Sequence, residues 1–118
     1  MTSPLTFQIT SDVILKLGGK TFEILYFGTA HTNNDLVVLD RESRLLIMGD
    51  LLCHRKCYIM SPESDATNWI ALLEKLIERS TEYEYVIPGH GGVVANVNAL
   101  MEQRDYLKNL CNAVKNAR

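Results

Sequence analysis

Midway along the chain the spacing of apolar residues changes from two to about 3.6, and few architectures accommodate that order. Before the change, Leu5-Thr6-Phe7-Gln8-Ile9 alternates apolar and polar, as a half-buried strand does. Asp12 to Leu17 and Thr21 to Phe27 are rich in β-branched and aromatic residues. Gly18-Gly19 between them supplies the positive φ angles of a tight hairpin. Leu36-Val37-Val38-Leu39 and Leu45-Leu46-Ile47-Met48 form a second pair around the charged turn Asp40-Arg41-Glu42-Ser43. Both runs are apolar on either face, which predicts something packed on each side.

After the change, Ser61 to Asp65 offers polar caps and acidic side chains for a helix N-terminus. Trp69, Leu72, Leu73, Leu76 and Ile77 then recur at helical spacing, in a stripe ending near Arg79. Glu84 to Ile87 is a short strand, stopped by Pro88-Gly89. A last helix runs from about Asn96, with Leu100, Leu107, Leu110, Cys111 and Val114 on one face. The expected fold is α/β (α+β): a mainly antiparallel sheet with two helices on one face. With 118 residues and no linker or repeat, residues 1–118 read as a single domain.

Charge and cysteine usage narrow the functional classes. Twelve Lys and Arg against fourteen Asp and Glu, a net charge of -2, give no basic surface for nucleic acid or an anionic membrane. The longest apolar runs are too short to span a bilayer. Met1-Thr2-Ser3-Pro4 has no basic and apolar leader, and three cysteines do not make a disulfide framework, so a cytoplasmic protein is expected. Cys53-His54-Arg55-Lys56-Cys57 has a gap that a zinc knuckle tolerates, but no second Cys/His pair follows at finger spacing. A loop with partly buried thiols is the expected reading, ahead of a structural metal.

Three polar residues stand where an apolar strand runs out into a Gly-containing loop. They are His31 in Phe27-Gly28-Thr29-Ala30-His31-Thr32, Asp50 in Ile47-Met48-Gly49-Asp50 and His90 in Pro88-Gly89-His90-Gly91-Gly92. Two imidazoles and a carboxylate at one sheet edge form a ligand set for a divalent metal. Each also has an ordinary reading: a loop histidine, a turn aspartate accepting backbone N–H bonds, and a glycine turn that includes histidine. Asp50, between a strongly apolar strand and Leu51-Leu52, is expected to be at least partly buried, where a carboxylate needs a cation or several donors. Asn34 and Asp35 are expected to orient His31, and His54 to sit at a rim. Tyr58, Tyr83 and Tyr85 read as sheet or interface surface, and Trp69 as core.

The segments Tyr26 to Thr32, Asp35 to Leu39, Ile47-Met48-Gly49-Asp50-Leu51-Leu52 and Val86-Ile87-Pro88-Gly89-His90-Gly91 resemble the C-terminal half of metallo-β-lactamase-fold metallohydrolases. The resemblance runs from about Val13 through Gly92. It implies that His31 is a ligand of a first metal site, Asp50 the catalytic carboxylate bridging two metals, and His90 a ligand of the second. It further implies zinc, or iron or manganese, as cofactor. The family's His-x-His-x-Asp-His signature does not occur among these residues, which include three histidines and no His-x-His pair. Four ligand positions are thus unmatched, and a two-metal site, with ions about 3.5–4 Å apart, is not expected within one chain.

Three outcomes follow. A truncated hydrolase half is completed by a separate N-terminal half. Alternatively, His31, Asp50 and His90 hold one ion with open positions for water, and hydrolysis of an ester, thioester or amide rests on it. Or the fold persists as a non-catalytic dimeric binding module with a vestigial metal site. In each case an apolar sheet face requires cover. A homodimer is expected, lined by Leu36, Val38, Leu46 and Met48 or by their alternates Val37, Leu39, Leu45 and Ile47.

Overall fold

A computed structural model describes residues 11–30, 35–53, 65–90 and 94–116. In chain order these form β1 (Val13–Leu17), β2 (Lys20–Leu25), β3 (Val37–Asp40), β4 (Leu45–Cys53), α1 (Ala66–Glu78), β5 (Tyr85–His90) and α2 (Val97–Asn116). The strands make one five-stranded sheet in sequential order, antiparallel from β1 to β4 and parallel between β4 and β5. The predicted architecture is therefore present. The strand read from Leu5 to Ile9 lies outside the described residues.

Local chemistry accounts for most of the elements. Gly18 and Gly19 take φ of 58° and 81° at the β1–β2 hairpin, a region open to glycine without steric cost. Asp65 caps α1, its side chain accepting from the Asn68 N–H at 2.9 Å. The acidic residue expected at this N-terminus is the cap itself, and none lies in the first turn that follows it. The helix ends at Arg79, as its apolar stripe implied.

The pairing register decides which strand residues face the helices. Val38 lies opposite Ile47, and Leu39 opposite Leu46. Val37, Leu39, Leu46 and Met48 thus share the face that packs on Trp69, Leu72, Leu73 and Leu76 of α1 and on Leu100 and Leu107 of α2, all buried in one core. Val38, Leu45 and Ile47 point the other way. Each of the two alternative dimer linings read from sequence therefore mixes residues from opposite faces. The four-residue turn between the strands offsets their alternation, which neither strand reveals alone.

Two further expectations are corrected. Pro88-Gly89 does not stop β5, which continues to His90. Pro88 is tolerated because β5 is an edge of the sheet, where one side of the strand need not donate to a ladder. Tyr83 is core rather than surface: it is buried and its hydroxyl donates to the Leu76 carbonyl at 2.6 Å. Burial pushes this phenol up to about 12, so it remains a donor throughout the physiological range.

Beside the core, Arg41 and Arg79 bridge Glu23 and Glu82, with Arg79 to Glu23 at 3.0 Å and Arg41 to Glu82 at 2.8 Å. The Arg79 hydrogen bond holds the Glu82 carboxyl below its usual range. Burial pushes Asp40 up, but the Ser43 N–H and the Lys20 ammonium outweigh it and the net shift is downward. Carboxylates depressed in the folded state add stability that is present above their unfolded value, about 4.3 for Glu, and lost as pH falls through the folded value. Urea midpoints are expected to be flat above about pH 5 and to fall on the acid side. In Glu82→Gln the fall should be shallower; an identical acid limb in both proteins would contradict this role.

Candidate functional site

Two of the three candidate positions, Asp50 and His90, lie on β4 and β5, which run parallel. Sequence reading ended the first of these strands at Met48, but β4 continues to Cys53 through an irregularity at Gly49, whose φ is 54°. Met48 is buried, Gly49 and Asp50 are both exposed, and Leu51 and Leu52 are both buried. Two successive residues facing outward are the mark of a bulge, which re-aims the strand and presents Asp50 to solvent. The expectation of a partly buried Asp50 is thereby overturned. The carboxylate stands on a strand between buried neighbours, yet on its open side.

β5 comes up against the same point. Gly49 pairs with Pro88 and Cys53 with His90. The approach is so close that a Cβ on Gly89 would lie 2.3 Å from the Gly49 carbonyl oxygen and 3.0 Å from the Asp50 nitrogen. Only glycine allows this contact, which seats the backbone preceding His90 directly on the backbone of Asp50. Two of the three predicted positions, 50 and 90, are thus brought to neighbouring parallel strands near their carboxyl ends. His31 lies outside the described residues, as do Asn34, His54 and Tyr58. Asp35 is half-buried just before β3.

The approach to His31 is described as far as Ala30, and α1 holds it. Asn68 donates from Nδ2 to the carbonyls of Phe27 at 2.8 Å and Thr29 at 2.5 Å. The Asp65 N–H donates to the Ala30 carbonyl at 2.6 Å, and Ala30 is fully buried. The next residue of the helix, Trp69, donates from Nε1 to the Leu51 carbonyl at 3.0 Å. The buried Gln103 amide of α2 donates to that same carbonyl. One helical turn therefore grips both the loop that leads into His31 and the strand that carries Asp50. Tethers of this kind position ligands without being ligands themselves.

Asn68, Gln103 and the steric role of Gly89 were not identified from sequence. Gln103 had a visible signal, because it interrupts the apolar stripe of α2 between Leu100 and Leu107. Asn68 had none beyond its place three residues after a capping Asp65. Among the described residues no three His, Cys, Asp or Glu side chains are gathered in a cluster. The site as read needs residues beyond that set.

Comparison with known proteins agrees with the fold. Residues 9–90 match the family model of the metallo-beta-lactamase superfamily. A metallo-beta-lactamase type 2 of Bacillus sp. (strain 170) is 29% identical over 96 residues, covering 80% of this chain and 37% of that protein. Another, from Bacteroides fragilis, is 29% identical over 84 residues, 70% of this chain and 34% of that one. The solved DIM-1 metallo-beta-lactamase superposes with a TM-score of 0.76 at 22% identity, over 92% of this chain and 50% of that one. A metallo-beta-lactamase from Pontibacter korlensis gives 0.74 at 22% identity, over 86% of this chain and 47% of that one. The chain spans about a third to a half of the length of these relatives.

Proposed function

Because the chain belongs to the metallo-beta-lactamase superfamily, we propose that it supplies one side of a divalent-metal hydrolase centre, with His31, Asp50 and His90 as its ligands. The observation that carries this reading is the seating of Gly89 on Gly49 and Asp50, which brings the approach to His90 against the strand of the aspartate. An exposed carboxylate with two imidazoles is a nitrogen and oxygen donor set suited to zinc, and also to iron or manganese. Such an ion, when bound, polarises a carbonyl and lowers the pKa of a bound water. Asp50 contributes the negative charge. Asn68, Trp69 and Gln103 keep its strand and the loop before His31 in place while substrate enters and leaves.

The substrate class is a carbonyl compound with a displaceable group: an ester, a thioester or an amide. The β-lactams for which the relatives are named are amides, but the fold alone does not choose among these. With three histidines and no His-x-His pair in 118 residues, hydrolysis is assigned to an assembly in which a second half adds ligands. The same count favours one alternative, a non-catalytic module that retains only a weak metal site. Hydrolysis of a generic thioester after adding an N-terminal half separates the two readings.

The direct test is metal binding by the chain itself. Purified without chelator and titrated with zinc, it should take up close to one ion. Asp50→Ala and His90→Ala should each weaken uptake by more than about 100-fold, while far-UV circular dichroism stays unchanged. Equal zinc uptake by wild type and both variants would remove these residues from the site.

A further inference from the structure

Asn68 and Trp69 are consecutive residues of α1, and each fastens the carrier of a different candidate ligand. Asn68 holds the loop that leads through Ala30 to His31, and Trp69 holds the strand of Asp50. The Asn68 Nδ2 group lies 2.8 Å from the Phe27 carbonyl and 2.5 Å from the Thr29 carbonyl, so both of its hydrogens are used. Two oxygens that near one nitrogen are closer together than the roughly 6.6 Å between alternate carbonyls of an extended strand. The chain between them must bend, and Gly28 supplies the bend with a φ of 85°. Asp65 fixes Asn68 in turn. Its carboxylate accepts the Asn68 backbone N–H at 2.9 Å, and its own N–H donates to the Ala30 carbonyl at 2.6 Å. The carbonyls of residues 27, 29 and 30 therefore all end on the first turn of α1 and its cap.

We propose that Asn68 is a positioning residue through which the metal site and the first turn of α1 are coupled in both directions. The coupling rests on the proposed metal site and adds a linkage to it. An ion that takes ligands from both the His31 loop and the Asp50 strand needs the loop closed on the helix. The strength of the Asn68 contacts is then part of the affinity for the ion. Linkage is reciprocal, so the bound ion strengthens by the same factor the bonds that close the loop. The contact is placed to respond. It joins a loop to a helix start, where backbone bonds open most readily. Asp65 is exposed and Asn68 and Thr29 are half-buried, whereas Trp69 is fully buried, so the lock opens while the core stays packed.

Zinc titration and amide hydrogen exchange of the 118-residue chain test the coupling. Asn68→Ala, and Asn68→Asp, which keeps the shape but loses the donors, should each weaken zinc uptake by about 10- to 100-fold. Tyr83→Phe removes the hydroxyl bonded to the Leu76 carbonyl, toward the other end of α1. It should lower the urea midpoint and leave zinc affinity unchanged, which separates positioning from a general loss of stability. In wild type, zinc at about 100 times its dissociation constant should slow exchange of the Asp65 N–H by about 10-fold or more, with about 100-fold as the ceiling. The Arg79 N–H, at the far end of the helix, should be unchanged. Where an Asn68 variant does not fold, the wild-type exchange measurement decides by itself. Bound zinc without protection at Asp65 would overturn the coupling and leave the metal site standing, as would equal zinc affinity in wild type and both folded Asn68 variants. A wild-type chain that takes up no zinc would overturn both.

Discussion

Gly89→Ala is expected to destabilise the chain by about 3 kcal/mol or more, the upper end of what overpacking costs, and to weaken metal uptake with it. The added methyl would stand 2.3 Å from the Gly49 carbonyl oxygen and 2.4 Å from its carbon. These are backbone atoms, fixed by the pairing of β4 with β5, so no side chain can swing aside. Relief requires the two parallel strands to separate where Gly49 pairs with Pro88. Gly49→Ala is the internal control. Its φ of 54° is unfavourable for alanine, but nothing lies within 4 Å of the new methyl, so only the left-handed backbone cost of about 1–2 kcal/mol applies. Urea denaturation of both variants checks the ordering. Equal midpoints would mean that the strands are free to part and that the close approach does not position the site.

Trp69→Ala is expected to cost about 3–5 kcal/mol, the range for removing a fully buried aromatic side chain. Against a total stability of roughly 5–15 kcal/mol for a domain, that leaves the variant marginal at 37 °C. The indole fills the space between α1 and the sheet and also donates to the Leu51 carbonyl, just beyond Asp50. Trp69→Phe separates these roles. It keeps most of the packing and loses the N–H, but Leu51 still accepts from Gln103, so a loss of about 1–2 kcal/mol is expected. Combining Trp69→Phe with Gln103→Leu strips both of these donors from that carbonyl and should cost more than the sum of the single changes. Since Trp69 is the only tryptophan, thermal melts followed by circular dichroism, not fluorescence, are the appropriate measurement.

Much of the fold could be read from apolar spacing. β1 to β3 and both helices lie within a few residues of the runs that predicted them, and the Gly18-Gly19 hairpin follows from glycine chemistry alone. The errors share a cause. Asp50 was expected to be partly buried because its neighbours are apolar, yet the bulge at Gly49 turns it outward. Pro88-Gly89 was read as a stop, yet an edge strand can carry proline. Tyr83 was placed on the surface, yet a hydroxyl can enter a core when a carbonyl such as that of Leu76 awaits it. In each case a local rule was overruled by a partner distant in sequence.

The amino-acid order alone determined the types of element, their succession, and the chemistry of the three candidate ligands, because periodicity and side-chain identity are local properties. Only the tertiary structure decided that β4 and β5, joined through α1, lie side by side with Gly89 pressed on Gly49. It also decided that Asn68 and Trp69 secure the neighbouring loop and strand, and that among the described residues both helices pack on the same sheet face. Those outcomes depend on register and on packing between segments tens of residues apart, where the free energy resides in the contact and not in either segment.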